Sequence, residues 1–131
     1  MQIEQKINQV LSQDSASKML GIHLIKVDES SIEMGMQVTA SMTNGYDICH
    51  GGIIFSLADT TLAFACVALG ATALTQSSQI DYVSSAQLGD KLRAVGKVIN
   101  RRRRNICCDI EVYNQQDALI ALAHIAANRS V

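Results

Sequence analysis

Asp59 is the residue at which chemistry concentrates. From Gly51 through Ile80 it is the one charge in thirty residues, set in GGIIFSLADTTLAFACVALG, and no Lys or Arg stands within twenty positions on either side. An ionised carboxylate left unpaired in an apolar interior costs several kcal/mol. A carboxylate kept there acts as an acid, a base or a nucleophile, or else it faces a wet groove, caps a loop N–H or pairs with a distant arginine. His50-Gly51-Gly52 opens the same segment. Two glycines where a chain enters a helix leave the first N–H groups unshielded, so a ligand oxygen can approach the positive end of the helix dipole. That makes Gly51 and Gly52 a candidate oxyanion site; a tight loop-to-helix turn is the plainer use of the pair.

Spacing adds a constraint. Gly51 and Asp59 are eight residues apart, about 12 Å along a helix. A carbonyl oxygen and the water attacking its carbon must each lie within about 3–3.5 Å of their helpers. One chain can hardly serve both ends of that reaction. If the two residues act together, Gly51 of one subunit must meet Asp59 of another, and the catalytic reading predicts an obligate oligomer with two-fold symmetry.

The four arginines Arg101, Arg102, Arg103 and Arg104 form the one charge run. In a strand they alternate between faces, so at most two converge on one anion; this suits a diphosphate or a 3′-phosphate, or simply a solvated strand end. Cys49, Cys66, Cys107 and Cys108 contain no Cys-x-x-Cys, and the vicinal pair points to opposite faces of a strand, so neither a metal site nor a disulfide framework is expected. Met34, Met36 and Met42 read as core or interface fillers.

The elements that must position these groups follow from pattern. Ile3, Ile7, Val10 and Leu11 at helical spacing predict a short amphipathic helix over 3–13 within an N-terminal segment 1–17. Residues 20–40 carry two apolar runs around Asp28-Glu29-Ser30-Ser31, a hairpin pattern. Residues 43–49 read as a loop. The segment from 52 to 69 reads as a helix apolar on every side and therefore buried on every side. A membrane span is the rival, and it is disfavoured by the central aspartate, the small polar residues and the lack of flanking Lys or Arg. Strand-like runs follow at 72–83, 91–100, 105–114 and 118–127; Leu92, Ala94 and Val98 alternate with polar neighbours, as do Cys108, Ile110 and Val112. Two strands, a long helix and four strands imply an antiparallel α+β domain whose sheet curls around the helix.

With 131 residues, 48% of them hydrophobic, the chain makes one folded domain over 1–131. A net charge of −1 lacks the basic excess of a nucleic-acid or anionic-membrane binder. The first residues carry no apolar signal core, so a cytoplasmic location is expected.

Asn44-Gly45, Cys49-His50-Gly51-Gly52 and Phe55-Ser56-Leu57-Ala58-Asp59-Thr60 together resemble the signature of hotdog-fold acyl-CoA thioesterases of the phenylacetyl-CoA thioesterase (PaaI-like) group. The likeness runs on through Ile80-Asp81-Tyr82, Gly89-Asp90, Arg104-Asn105 and Val112-Tyr113-Asn114-Gln115, and covers about residues 18–127. It departs at Tyr46-Asp47, where the family often has His-Gly, and at Ser85, where a proline is usual.

The resemblance implies a hotdog α+β fold and hydrolysis of an acyl-CoA, with an aromatic or medium-chain acyl group, to the acid and CoA without a cofactor. It further implies sites shared within homodimers that pair as dimers of dimers. Gly51 would donate its N–H to the thioester carbonyl with Asn44 beside it and Gly52 at the substrate. His50 would lie near the sulfur and orient the loop. The partner subunit would supply Asp59 as general base or nucleophile and the hydroxyl of Thr75, with Thr72, Ser77 and Ser78 as close alternatives. The arginines would then hold CoA phosphates. Two further readings are an acyl-CoA-binding domain without turnover and a dehydratase that would use a histidine with a carboxylate.

Overall fold

The computed structural model describes residues 2–129. Two helices, α1 (Ile3–Leu11) and α2 (Ser15–Leu20), precede a hairpin of β1 (His23–Val27) and β2 (Ser31–Gln37). A 3₁₀ turn at Ala40–Met42 and a loop lead into α3 (Gly51–Ala68). Four strands follow: β3 (Ala73–Tyr82), β4 (Lys91–Arg102), β5 (Asn105–Tyr113) and β6 (Leu119–Arg129). All pair antiparallel in one sheet of order β1-β2-β4-β5-β6-β3.

The strands and α3 fall where the patterns place them. The β1–β2 turn is closed by Asp28, whose Oδ1 accepts from the Ser30 and Ser31 backbone N–H groups at 2.8 and 2.9 Å. The alternating residues Leu92 and Ala94 of β4 and Cys108, Ile110 and Val112 of β5 are buried, as are Met34, Met36 and Met42, while Cys107 is half-buried. Helix α2 has no counterpart in the pattern reading, although its caps are both in the sequence: Asp14 accepts from the Ser17 N–H at 3.0 Å, and Gly21 ends the helix at φ 69.

α3 packs against β2, β3, β4, β5 and β6. By length and composition alone α3 could cross a membrane. Its buried stripe is Ile54, Leu57, Ala58, Thr61, Leu62, Phe64, Ala65 and Cys66, the centre of the core. At Gly96 of β4 a Cβ would stand 2.9 Å from Thr61 Cγ2, so glycine is what lets helix and sheet approach this far there. The expectation that α3 is covered on every side is corrected here. Phe55, Ser56, Asp59, Thr60 and Ala63 are half-exposed and Gly52 is exposed, because one sheet of six strands reaches only one side of the helix.

The sheet is unfinished in a related way. β3 is an edge strand paired only with β6, and it is exposed along most of its ten residues, with Leu74 at 75%. Beside it lies the uncovered side of α3.

Candidate active site

Asp59 sits on that uncovered side. Thr75 donates its hydroxyl to Asp59 Oδ1 at 2.6 Å, which leaves Oδ2 for a water or an acyl carbon. A bulge in the β3–β6 ladder between Thr75 and Ser77 interrupts the strand's regular alternation at this point. The choice among Thr72, Thr75, Ser77 and Ser78 thus falls on Thr75. The expected burial of Asp59 is corrected to half-burial: the charge reaches a groove of about 350 Å³ lined by Asp14, Ala16, Leu20, Phe55, Ser56 and Ala63 among others. Partial hydration and the Thr75 hydroxyl replace the missing cationic partner.

The second cluster is at the start of α3. His50 occupies the N-cap position, exposed and without a side-chain cap, and its N–H donates to Met42 O at 2.8 Å. The Ile53 and Ile54 N–H groups both turn to His50 O, at 3.0 and 3.2 Å. The N–H groups of Gly51 and Gly52 have no partner among the described residues, the condition that makes a helix start an anion site. Neither glycine has a positive φ, so no turn geometry demands them. A Cβ at Gly51 would stand 3.1 Å from the Tyr82 ring, whereas at Gly52 it would meet nothing within 4 Å. The space over Gly52 is open.

The loop before α3 brings Asn44 to the same end. Thr43 bridges Cys49, and Asn44 Oδ1 accepts from the Tyr46 and Ile48 N–H groups at 2.9 and 3.3 Å. The acceptor end of the Asn44 amide is thereby committed to its own loop, which leaves the Nδ2 donor for a ligand. Cys49 is buried, which pushes its thiol up to about 11 and disfavours the thiolate. Pattern reading missed two contacts here, one across 31 positions and one local to the helix. Tyr82 donates its hydroxyl to Gly51 O at 2.7 Å, and Ser56 donates to Gly52 O at 2.9 Å.

Within one chain the two clusters stay apart. α3 is a continuous helix of 18 residues that contains both Gly51 and Asp59, so the separation of about 12 Å holds. The arginine run is corrected from a strand to a hairpin tip: Arg101 and Arg102 end β4, while Arg103, at φ 58, and Arg104 form a two-residue turn into β5. All four are exposed. Arg101 is near enough to Cys66 to lower its thiol against a burial that pushes it up to about 11, which puts the tip toward the C-terminal end of α3.

Known proteins match this arrangement. The family model of the thioesterase superfamily matches residues 46–121. Acyl-coenzyme A thioesterase PaaI of Escherichia coli K12 is 39% identical over 118 residues, 90% of this chain and 84% of that one. The structure of the E. coli PaaI protein from the phenylacetic acid degradation operon superposes with a TM-score of 0.94 at 36% identity, covering 98% of this chain and 94% of that one. A Streptococcus mutans protein bound to acetyl-CoA superposes with a TM-score of 0.80 at 27% identity, over 83% of this chain and 88% of that one.

Proposed function

The chain belongs to the thioesterase superfamily, with the hotdog fold, and hydrolyses acyl-CoA thioesters, and we propose that it does so in sites assembled from two copies of itself. The Gly51 N–H, with Gly52 and the Asn44 amide beside it, receives the thioester oxygen as it gains charge. His50, exposed at the same end, lies toward the sulfur. Asp59 of the other copy takes the proton of an attacking water, or attacks the carbonyl carbon itself, while Thr75 holds its Oδ1. In either route the tetrahedral intermediate collapses, the C–S bond breaks, and the CoA thiolate leaves to be protonated as the free thiol; in direct attack the acyl group stays on Asp59 as an anhydride until water hydrolyses it to the free acid. One observation carries this reading: a hydroxyl-held carboxylate and two free N–H groups share one helix at a separation that a single thioester cannot span.

The midpoint of positions 51 and 59 is 55. Antiparallel α3 helices that set Gly51 against Asp59 therefore place Phe55 of both copies at the two-fold axis, on the side of α3 that the sheet leaves uncovered. The exposed β3 edges pair across the same axis and close the sheet. In the same arrangement the C-terminal half of one α3 runs past the Gly51 end of the other, which carries the arginine hairpin toward the oxyanion end of its partner's site. Arg101 to Arg104 there hold CoA phosphates. The walls of the Asp59 groove, Ala16, Leu20, Phe55 and Ala63, suit an aromatic or medium-chain acyl group. Residues 1–131 form one such domain, its dimers pair as tetramers, and its four free cysteines fit a reducing cytoplasm.

The test is incubation with a panel of acyl-CoAs and a thiol reagent. CoA release from aromatic or medium-chain substrates, lost in Asp59→Asn, supports the reading. Binding without thiol release contradicts it.

A further inference from the structure

The hydroxyl of Tyr82 is a polar group beside Gly51 that the reaction described above leaves unused. It donates to the carbonyl of Gly51 at 2.7 Å, and the ring lies so close that a Cβ at position 51 would be 3.1 to 3.4 Å from three of its atoms. Gly51 and Tyr82 are thus a matched pair: glycine admits the ring, and the ring carries the hydroxyl to the carbonyl. That carbonyl already accepts from the helix ladder at Phe55, so Tyr82 supplies a second donor. The peptide concerned is the one whose N–H belongs to Gly52, over which the structure is open. A donor on a peptide oxygen draws charge through the amide resonance and makes the N–H at its other end a stronger donor.

We infer that Tyr82 is a positioning residue for thioester hydrolysis: its hydroxyl fixes and polarises the Gly51–Gly52 peptide, so that the oxyanion donors at the start of α3 are held in orientation. This rests on the reading of Gly51 and Gly52 as the oxyanion site. Burial and the nearby Cys49 push the Tyr82 phenol above its ordinary value, so it stays protonated and able to donate across the working range of pH. β3 also carries Thr75, so this one strand touches α3 at both functional points, Thr75 on Asp59 and Tyr82 on Gly51. In a two-fold dimer those points serve opposite sites, and seating β3 at the interface sets a half of each.

Tyr82→Phe keeps the ring and removes the donor. The expected result is a fall in kcat of about five- to tenfold, less than loss of an oxyanion donor itself, with KM within about twofold. The melting temperature and assembly mass should stay at wild-type values, and the Gly52 amide nitrogen should shift in the NMR spectrum. Site-specific replacement of Tyr82 by a difluorotyrosine leaves the shape almost unchanged and brings the phenol's ionisation down toward neutrality. It should add an alkaline fall in kcat that the wild type lacks. Unchanged kcat in Tyr82→Phe with no new pH limb in the fluorinated protein overturns the inference, as does a parallel loss of kcat and melting temperature without the Gly52 shift, the mark of a brace alone. Asp59→Asn in the same preparation separates the two levels. If it is dead while Tyr82→Phe is fully active, only the role of Tyr82 falls; if it turns over normally, the site reading falls with it.

Discussion

The two sides of α3 are built by opposite rules. Toward the sheet, Leu57, Thr61, Leu62 and Phe64 are buried, and even the hydroxyl of Thr61 is spent on its own helix, donating to Leu57 O at 2.8 Å. Toward solvent, the same helix presents Gly52, Phe55, Ser56, Asp59, Thr60 and Ala63, which the sheet leaves half-exposed or exposed beside the groove walled by α2. Four residues separate Leu57 from Thr61 and Phe55 from Asp59 alike, so the contrast lies in partners rather than in helical geometry. One side is finished by folding. In the proposed dimer the other is finished by a second copy and a substrate, so that a largely apolar helix divides its sides between stability and function.

Changes on the two sides should therefore fail differently. The largest effect is expected for Asp59→Asn, which should lower kcat at least about a hundredfold, the scale of a lost general base, without loss of stability, because a charge is removed from a half-buried site. Steady-state kinetics beside a thermal melt check it. Gly96→Ala is the converse. Its Cβ would meet Thr61 Cγ2 at 2.9 Å, a stiff buried branch, and should cost about 1–3 kcal/mol of stability, while the activity per folded molecule stays near wild type. Denaturant unfolding measures the first and active-site titration the second.

Thr75→Val removes the donor from Asp59 and keeps the volume. A fall in kcat of about tenfold with little change in melting temperature is expected, and rescue by Thr75→Ser would tie the effect to the hydroxyl. The smallest effect belongs to the exposed hairpin. Replacing Arg101 to Arg104 by alanine should raise KM for an acyl-CoA about three- to tenfold, most at low salt, with kcat nearly unchanged. A salt series of KM values decides whether phosphate binding lies there.

Much of the fold was legible in the sequence, although the contrast between the two sides of α3 was not. β4 and β5 announce themselves by period and the other strands and α3 by apolar runs, and Asp59, the one charge among thirty residues, is visible as a candidate before any fold is known. The distance argument between Gly51 and Asp59 needs only the rise of a helix. Three things were not legible. Half-coverage of α3 depends on how far one sheet reaches, which hydropathy does not encode. Thr75 is singled out from its neighbours by its hydrogen bond to Asp59, a tertiary contact between β3 and α3. Tyr82 reaches Gly51 across 31 positions, and no local pattern links them. Helix α2 was legible but passed over, since its signals are the caps Asp14 and Gly21 rather than an apolar stripe.

The central claim is that each site takes its oxyanion donors from one chain and its carboxylate from another. Subunit complementation tests it most directly. A Gly51→Pro chain, which removes the N–H and crowds the Tyr82 ring, and an Asp59→Asn chain are each expected to be inactive. Reshuffled at equal amounts, about half the dimers become mixed, and each mixed dimer holds one site with both lesions and one with neither. The account predicts that about a quarter of wild-type activity appears on mixing two dead proteins. A mixture that stays as inactive as its parents, with mixed dimers confirmed by mass, would contradict it.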